Sequence, residues 1–131
     1  KPILFAKFKN KEKSFFGLPG NSLSTDACFR FFVYPYLLNI LGAKPEKSFR
    51  AKLKNNFRKK NKFTRFLKCK LISTSNGNLI VEVLKGQESY KIKSFVKSNT
   101  WGLFEAGKST FKKGQLINCY NNLETNNNTF Y

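Results

Sequence analysis

Apolar and polar positions follow two different rhythms along this chain. Up to about residue 46, short apolar runs lead into one helical stretch. Beyond it, apolar residues mostly recur at every second position. Pro2 to Phe8 reads as a strand, Lys9 to Lys13 as a charged turn, and Ser14 to Gly17 as a second strand. Phe16-Gly17-Leu18-Pro19-Gly20-Asn21 then reads as a strand end and a tight turn. Its glycines permit close approaches and unusual backbone angles, and Pro19 fixes one φ. A helix is predicted from about Leu23 to Leu41, with Leu23, Ala27, Phe31, Tyr34, Leu38 and Leu41 near one face. Asn21 or Ser22 would cap it, and Asp26 in the first turn would suit the helix dipole. Pro35 removes one helical hydrogen bond and predicts a kink. Gly42 and Lys44-Pro45 predict the stop.

From about Lys47 the alternation predicts short strands. Phe49 to Lys54 alternates, and Asn55 to Lys62 reads as a charged, asparagine-rich loop. Phe63 to Ile72 is a longer strand with Arg65, Leu67, Cys69 and Leu71 on one side. Ser75-Asn76-Gly77-Asn78 is a hairpin turn, because Asn-Gly tolerates positive φ. Leu79 to Leu84 returns, Lys85 to Ser89 is a polar loop, and Tyr90 to Phe95, Thr100 to Phe104 and Gln115 to Tyr120 complete the set, with a turn at Gly107 to Gly114. Short strands at this spacing suggest a small all-β barrel or clip. The fold class is therefore α+β: a strand-strand-helix stretch at 1–46, a small all-β domain at 47–123, and an asparagine-rich tail at 124–131 expected to be disordered.

Composition narrows the chemistry. The 131 residues hold no His and only one Asp, which excludes a histidine-based triad and gives paired-carboxylate hydrolysis little support. Cys28, Cys69 and Cys119 have neither close spacing nor histidine partners, so a zinc site is not indicated. They read as small core residues in a reducing compartment. Lys plus Arg is 25 against 7 acids, a formal charge of +18. One reading is a polyanion- or nucleic-acid-binding surface. The other is a solvated face with dispersed lysines, and no aromatic-glycine signature accompanies them here. The longest apolar run, Phe31 to Leu38, is too short to span a bilayer and is interrupted by Pro35. A glycine-flanked helix start also offers free N–H groups to an anion.

The turn carries a resemblance. Gly17-Leu18-Pro19-Gly20-Asn21 with Ser24, followed by Phe31-Phe32-Val33-Tyr34-Pro35-Tyr36-Leu37 and Leu41-Gly42, resembles the GLPGNPxS…FxxFVxPxLxxLxG pattern of the MoeA family. These are molybdopterin molybdenumtransferases and include the gephyrin E domain. Phe63-Thr64-Arg65 is similar to the family's [DE]-F-x-R strand, and Gly86-Gln87-Glu88-Ser89 to its G-x-Q-x-S segment. Ser94 to Asn99 with Trp101-Gly102-Leu103-Phe104 resembles S-x-x-x-A-N-G-L-I/V, and Lys112-Lys113-Gly114-Gln115 the closing k-G-E-x-V. The match runs from about Lys1 to Leu123 and corresponds to the C-terminal end of that family: the resemblance implies that 1–46 is the C-terminal end of its molybdopterin-binding α/β domain and 47–123 its β-clip-like C-terminal domain, so the chain is expected to be a fragment of a larger enzyme, inactive alone.

The resemblance implies molybdenum cofactor biosynthesis: molybdate insertion into adenylated molybdopterin with release of AMP and involvement of Mg2+, in a cytoplasmic protein, homodimeric at full length. It implies molybdate contacts from Lys1, Ser24, Arg65 and Ser89, and an anion loop built from the backbone of Gly17, Pro19, Gly20 and Asn21. A lysine supplies a mobile point charge, an arginine a planar fork for two oxygens, and a serine a hydroxyl donor. Gln87 would donate beside Ser89. Ser22 replaces the family's proline, Lys62 its acid and Glu88 its small residue. Ser98 and Thr100 replace the Ala and Gly around Asn99. Trp101 reads as core or interface, not as a cofactor stack.

Overall fold

A computed structural model describes residues 3–9, 13–60, 62–87 and 96–123. The chain divides into two compact units, Lys1–Glu46 and Lys47–Tyr131. The proposed Tyr90 to Phe95 strand and the tail at 124–131 lie outside the described residues.

In the first unit, β1 (Leu4–Lys7) pairs antiparallel with β2 (Ser14–Gly17), Leu4 opposite Gly17 and Lys7 opposite Ser14. A continuous helical segment follows: α1 (Ser22–Cys28), a π-helical turn (Phe29–Val33) and α2 (Tyr34–Ile40). The π turn is the response to Pro35. Proline has no N–H and its ring crowds the carbonyl one turn back, and widening the preceding turn relieves both. The Tyr34 N–H reaches back to Phe29 O, and Pro35 then sits in the first turn of α2, where a missing N–H costs least. Two expectations are corrected. Because the helix begins at Ser22, Asp26 lies beyond its first turn. Leu41 is 78% exposed at the C-cap, off the inner face. The helix ends at Gly42, whose φ of 66° lets Ala43 N–H bond Leu38 O at 2.9 Å.

Two contacts organise this unit. Phe5, Phe16 and Tyr36 form an aromatic cluster with ring centroids 4.9 to 5.6 Å apart, and Tyr36 Oη shares a hydrogen bond with Ser14 Oγ. Arg30, buried on the helix, grips both carboxylate oxygens of Glu46 at 2.6 and 2.5 Å. Its guanidinium also lies over the Phe31 and Tyr34 rings, 5.4 Å from each centroid.

In the second unit β3 (Phe49–Leu53), β6 (Leu79–Val83), β5 (Arg65–Ser73), β7 (Thr100–Phe104) and β9 (Leu116–Asn121) close into a barrel in that order. The β5–β6 hairpin turns at Gly77, whose φ is 74°. β3 pairs with β6 in parallel and with β9 antiparallel, which closes the ring. Alternation places Ala51, Leu53, Leu67, Cys69, Val81, Phe104, Ile117 and Cys119 in the core. Gly102 is required there. A Cβ on it would lie 2.9 Å from Phe104 and 3.0 Å from Cys69 Sγ.

Three features depart from the alternation. Inside the supposed loop at 55–62, β4 (Phe57–Arg58) pairs with β8 (Thr110–Phe111), the latter inside the supposed turn at 107–114. The driving force is aromatic: Phe57, Phe104 and Phe111 stack with centroids 4.8, 5.0 and 6.5 Å apart. Arg65, placed on the core side by alternation, is exposed. Lys68, on the opposite side, is buried because it covers its cross-strand neighbour Trp101, with Nζ 4.1 Å from the ring centroid. Trp101 is buried under that lysine, on the face of β7 opposite Gly102 and Phe104.

Candidate oxyanion-binding site

The glycine turn of the first unit is built by its caps. Asn21 Oδ1 accepts from Ser24 N at 3.0 Å, and Asn21 O accepts from Thr25 N at 2.8 Å. Thr25 Oγ1 donates to Pro19 O and to Asn21 O, tying the buried Pro19 to the helix. Asn21 thus does the capping. The Ser24 hydroxyl takes no part in it and makes no hydrogen bond among the described residues. Of the two properties expected of the glycines, unusual backbone angles are absent, since neither has a positive φ. Gly17 is needed for close approach, because a Cβ would lie 3.1 Å from Leu4 Cβ. Gly20 borders open space, where a ligand meets no side chain. Lys1 lies outside the described residues.

The second unit holds a cavity of about 660 Å³ at one end of the barrel. It opens where β6 parts from the first half of β5. Its lining comes from three places: Leu53 and Asn55 to Arg58 from the end of β3 through β4, Arg65 and Leu67 on β5, and Glu82 to Gln87 at and after the end of β6. Arg65 and Gly86-Gln87, far apart in sequence, therefore face one space. Ser89 and Glu88 lie outside the described residues.

Gln87 has a different task from the one expected of it. Its Oε1 accepts from Lys68 N at 3.1 Å, and its Nε2 donates to Lys68 O at 2.7 Å and to Leu84 O at 2.8 Å. The side-chain amide replaces a strand partner for β5 where β6 has ended, and fastens the 84–87 loop to the barrel. With its donors committed to backbone carbonyls, Gln87 positions this loop and leaves anion contact to its neighbours. Gly86 makes the turn with a φ of 81°. Asn99 repeats the device on the other edge, bonding Leu71 N at 2.6 Å and Leu71 O at 3.0 Å.

The cavity's charge is one-sided. Arg58, Arg65 and Lys85 line it, and its one lining carboxylate, Glu82, is ion-paired to Lys54 at 2.7 Å. Arg58 and Lys85 were missed in the sequence because they sit in basic, polar runs outside any motif. The one available signal was Phe57, an isolated aromatic in a polar stretch. Arginine, lysine and amide donors beside an apolar wall suit an oxyanion. Magnesium, implied by the resemblance, does not fit this donor set. Among the described residues no three His, Cys, Asp or Glu side chains come together.

No helix among the described residues is long and apolar enough to cross a membrane. No curated protein matches the chain. Solved structures share its fold, three of which illustrate the likeness. A molybdopterin biosynthesis MoeA protein from Pyrococcus horikoshii OT3 aligns with TM-score 0.63 and 22% identity, over 76% of this chain and 25% of that one. A second structure of a P. horikoshii MoeA protein gives 0.66 and 24%, over 91% and 28%. A molybdenum cofactor biosynthesis protein from Pyrococcus furiosus gives 0.64 and 20%, over 79% and 37%. The chain thus spans between a quarter and just over a third of the length of these relatives. The family model of the MoeA C-terminal region (domain IV) matches residues 50–121, more than half of the chain and nearly all of the barrel unit with its cavity, and the chain therefore belongs to the MoeA family.

Proposed function

We propose that the chain serves in molybdenum cofactor biosynthesis and contributes part of the site at which molybdate is held for insertion into adenylated molybdopterin. The carrying observation is that Arg65 and the Gly86-Gln87 segment line one cavity with uncompensated positive charge. Molybdate is a tetrahedral dianion, and a guanidinium fork binds two of its oxygens. Gln87 keeps the loop leading to Ser89 fixed on β5, and Ser24 carries an unengaged hydroxyl in the first unit. In this reading the chain's residues bind and orient the oxyanion and do not themselves react. Lys1 and Ser89 are assigned anion contacts on the resemblance. A homodimeric state of the full-length protein and a cytoplasmic location belong to the same proposal.

The test uses the full-length protein that carries this chain, as wild type and Arg65→Ala. Molybdate-dependent reconstitution of an apo-molybdoenzyme should fall about 100-fold in the variant, the scale seen when one oxyanion donor is removed. Molybdate binding by calorimetry should be selective over sulfate and should weaken in parallel. Sulfate-equal binding that is steeply salt-dependent and indifferent to Arg65 would replace this reading with the polyanion-binding surface.

A further inference from the structure

We propose that Arg58 is a second anion-binding residue of the barrel cavity, and that Arg58 and Arg65 clamp one tetrahedral dianion from two sides of its mouth. The proposal rests on the oxyanion reading of the cavity and adds a residue that no family motif in this sequence contains.

Three observations carry it. First, the backbone under Arg58 is fixed. Phe57 packs on Phe104 with its ring centroid 4.8 Å away, β4 is paired with β8 in register Arg58 to Thr110, and Lys59 N–H bonds Ser109 O at 2.9 Å. Lys59 itself is buried. Its Nζ donates to Phe63 O at 2.9 Å and lies 5.7 Å from the Phe111 ring centroid. That tie draws the chain between Arg58 and Arg65 against the barrel, so Arg58 on β4 and Arg65 on β5 line one cavity from two different sheets.

Second, both guanidiniums are uncommitted. Neither has a hydrogen bond or ion pair among the described residues, and the lining carboxylate Glu82 is neutralised by Lys54. Lys85 adds a third cation. Like charges gathered on one cavity repel each other until an anion joins them, and this repulsion is relieved on binding.

Third, the wall beside them is apolar. Leu53 and Leu67 are 2% and 6% exposed, and Val83 and Leu84 adjoin them. Such a wall lowers the local dielectric and strengthens the charge-assisted bonds. Two forks with five donors each favour a tetrahedral dianion over a planar monoanion.

The test is calorimetric titration of the full chain with molybdate, inorganic phosphate and nitrate at fixed ionic strength. The variants are Arg58→Ala, Arg58→Lys, Arg65→Ala and, as an equal change of charge on an exposed residue outside the cavity, Lys112→Ala. Arg58→Ala should weaken molybdate and phosphate binding about tenfold or more, the cost of about one charge-assisted hydrogen bond. Arg58→Lys should recover part of that loss, Lys112→Ala should stay within about twofold of wild type, and nitrate should bind most weakly. Thermal melts establish that the variants are folded, and if Arg58→Ala is not, Arg58→Lys and Arg58→Gln carry the comparison. Equal weakening by Arg58→Ala and Lys112→Ala would overturn the clamp. Arg58-dependent phosphate binding without molybdate binding would keep the clamp and remove the molybdate reading. Arg65-dependent molybdate binding indifferent to Arg58 would do the reverse. Absence of binding by either dianion would end both.

Discussion

The two units of this chain solve the problem of burial in opposite ways. In the barrel, Val81, Trp101, Phe104, Cys69 and Cys119 are at most 1% exposed. In the first unit, Leu4, Phe5, Phe8, Phe15 and Ile40 are all more than half exposed, and Pro19 and Arg30 are the buried residues among those described. The difference is one of closure. A sheet that closes on itself turns every inner side chain toward another strand and leaves its five strands without free edges. A two-stranded hairpin and one interrupted helix offer too few inward faces to enclose a core. The first unit is therefore organised by particular contacts, the Phe5–Phe16–Tyr36 cluster, the Arg30–Glu46 pair and the Asn21 cap, where the barrel relies on bulk packing. The cavity arginines thus stand on the unit that holds its own shape, which suits a site that must present fixed charges.

That contrast predicts unequal responses to single substitutions. Phe104 is fully buried between Phe57 and Phe111, so Phe104→Ala should cost about 3–5 kcal/mol. Urea denaturation of the full chain, followed through Trp101 fluorescence, measures it. A loss below about 1 kcal/mol would mean the aromatic stack is dispensable and the comparison misjudged. Arg30→Ala removes a charge-assisted hydrogen bond, its ion pair with Glu46 and two ring contacts, for about 2 kcal/mol of local stability. Amide hydrogen exchange should show lost protection along Ser22–Ile40 and unchanged protection along Arg65–Ser73. Equal loss in both would show that the two units open as one.

Much of this was legible in the sequence, and the exceptions share a cause. The strand Phe49–Leu53 and the Asn76-Gly77 hairpin were readable because period-two alternation and turn chemistry are local signals. β4 and β8 were not, because a two-residue strand carries no period and Phe57 finds its partners only in three dimensions. Lys68 and Lys59 read as solvated charges, yet one covers Trp101 and the other ties down a loop. For the site, motif likeness pointed to Arg65 and the Gly86 segment, and the cavity unites them. It could not point to Arg58, whose value comes from a fold contact. It also misassigned Gln87, whose amide is spent on the backbone of β5.

The smallest effect sharpens the comparison most finely, because each unit carries free thiols. Burial pushes the Cys69 thiol from the ordinary 9.0 up to about 12, with the neighbouring Cys119 adding to the rise, and burial likewise pushes Cys119 up to about 12. Cys28 is raised as well, chiefly by burial, but it is only partly covered on the first unit's helix. Only the thiolate reacts readily. At pH 8 a disulfide reagent should therefore modify Cys28 within minutes and leave Cys69 and Cys119 untouched until the protein is denatured. The same shifts fix the sign of the pH dependence. In the unfolded chain these thiols ionise near 9.0, while the folded barrel keeps them protonated to about 12. Their contribution to stability is thus fully present below pH 9 and lost progressively as pH rises toward 12. Denaturation midpoints of the barrel should be insensitive to these two cysteines from pH 6 to 8.5 and should decline above 9. In a Cys69→Ala, Cys119→Ala variant the decline should be shallower. Fast native-state modification of Cys69 would mean that the barrel opens on the timescale of the hairpin and helix, and the distinction between a closed and an open unit would fail at its most sensitive point.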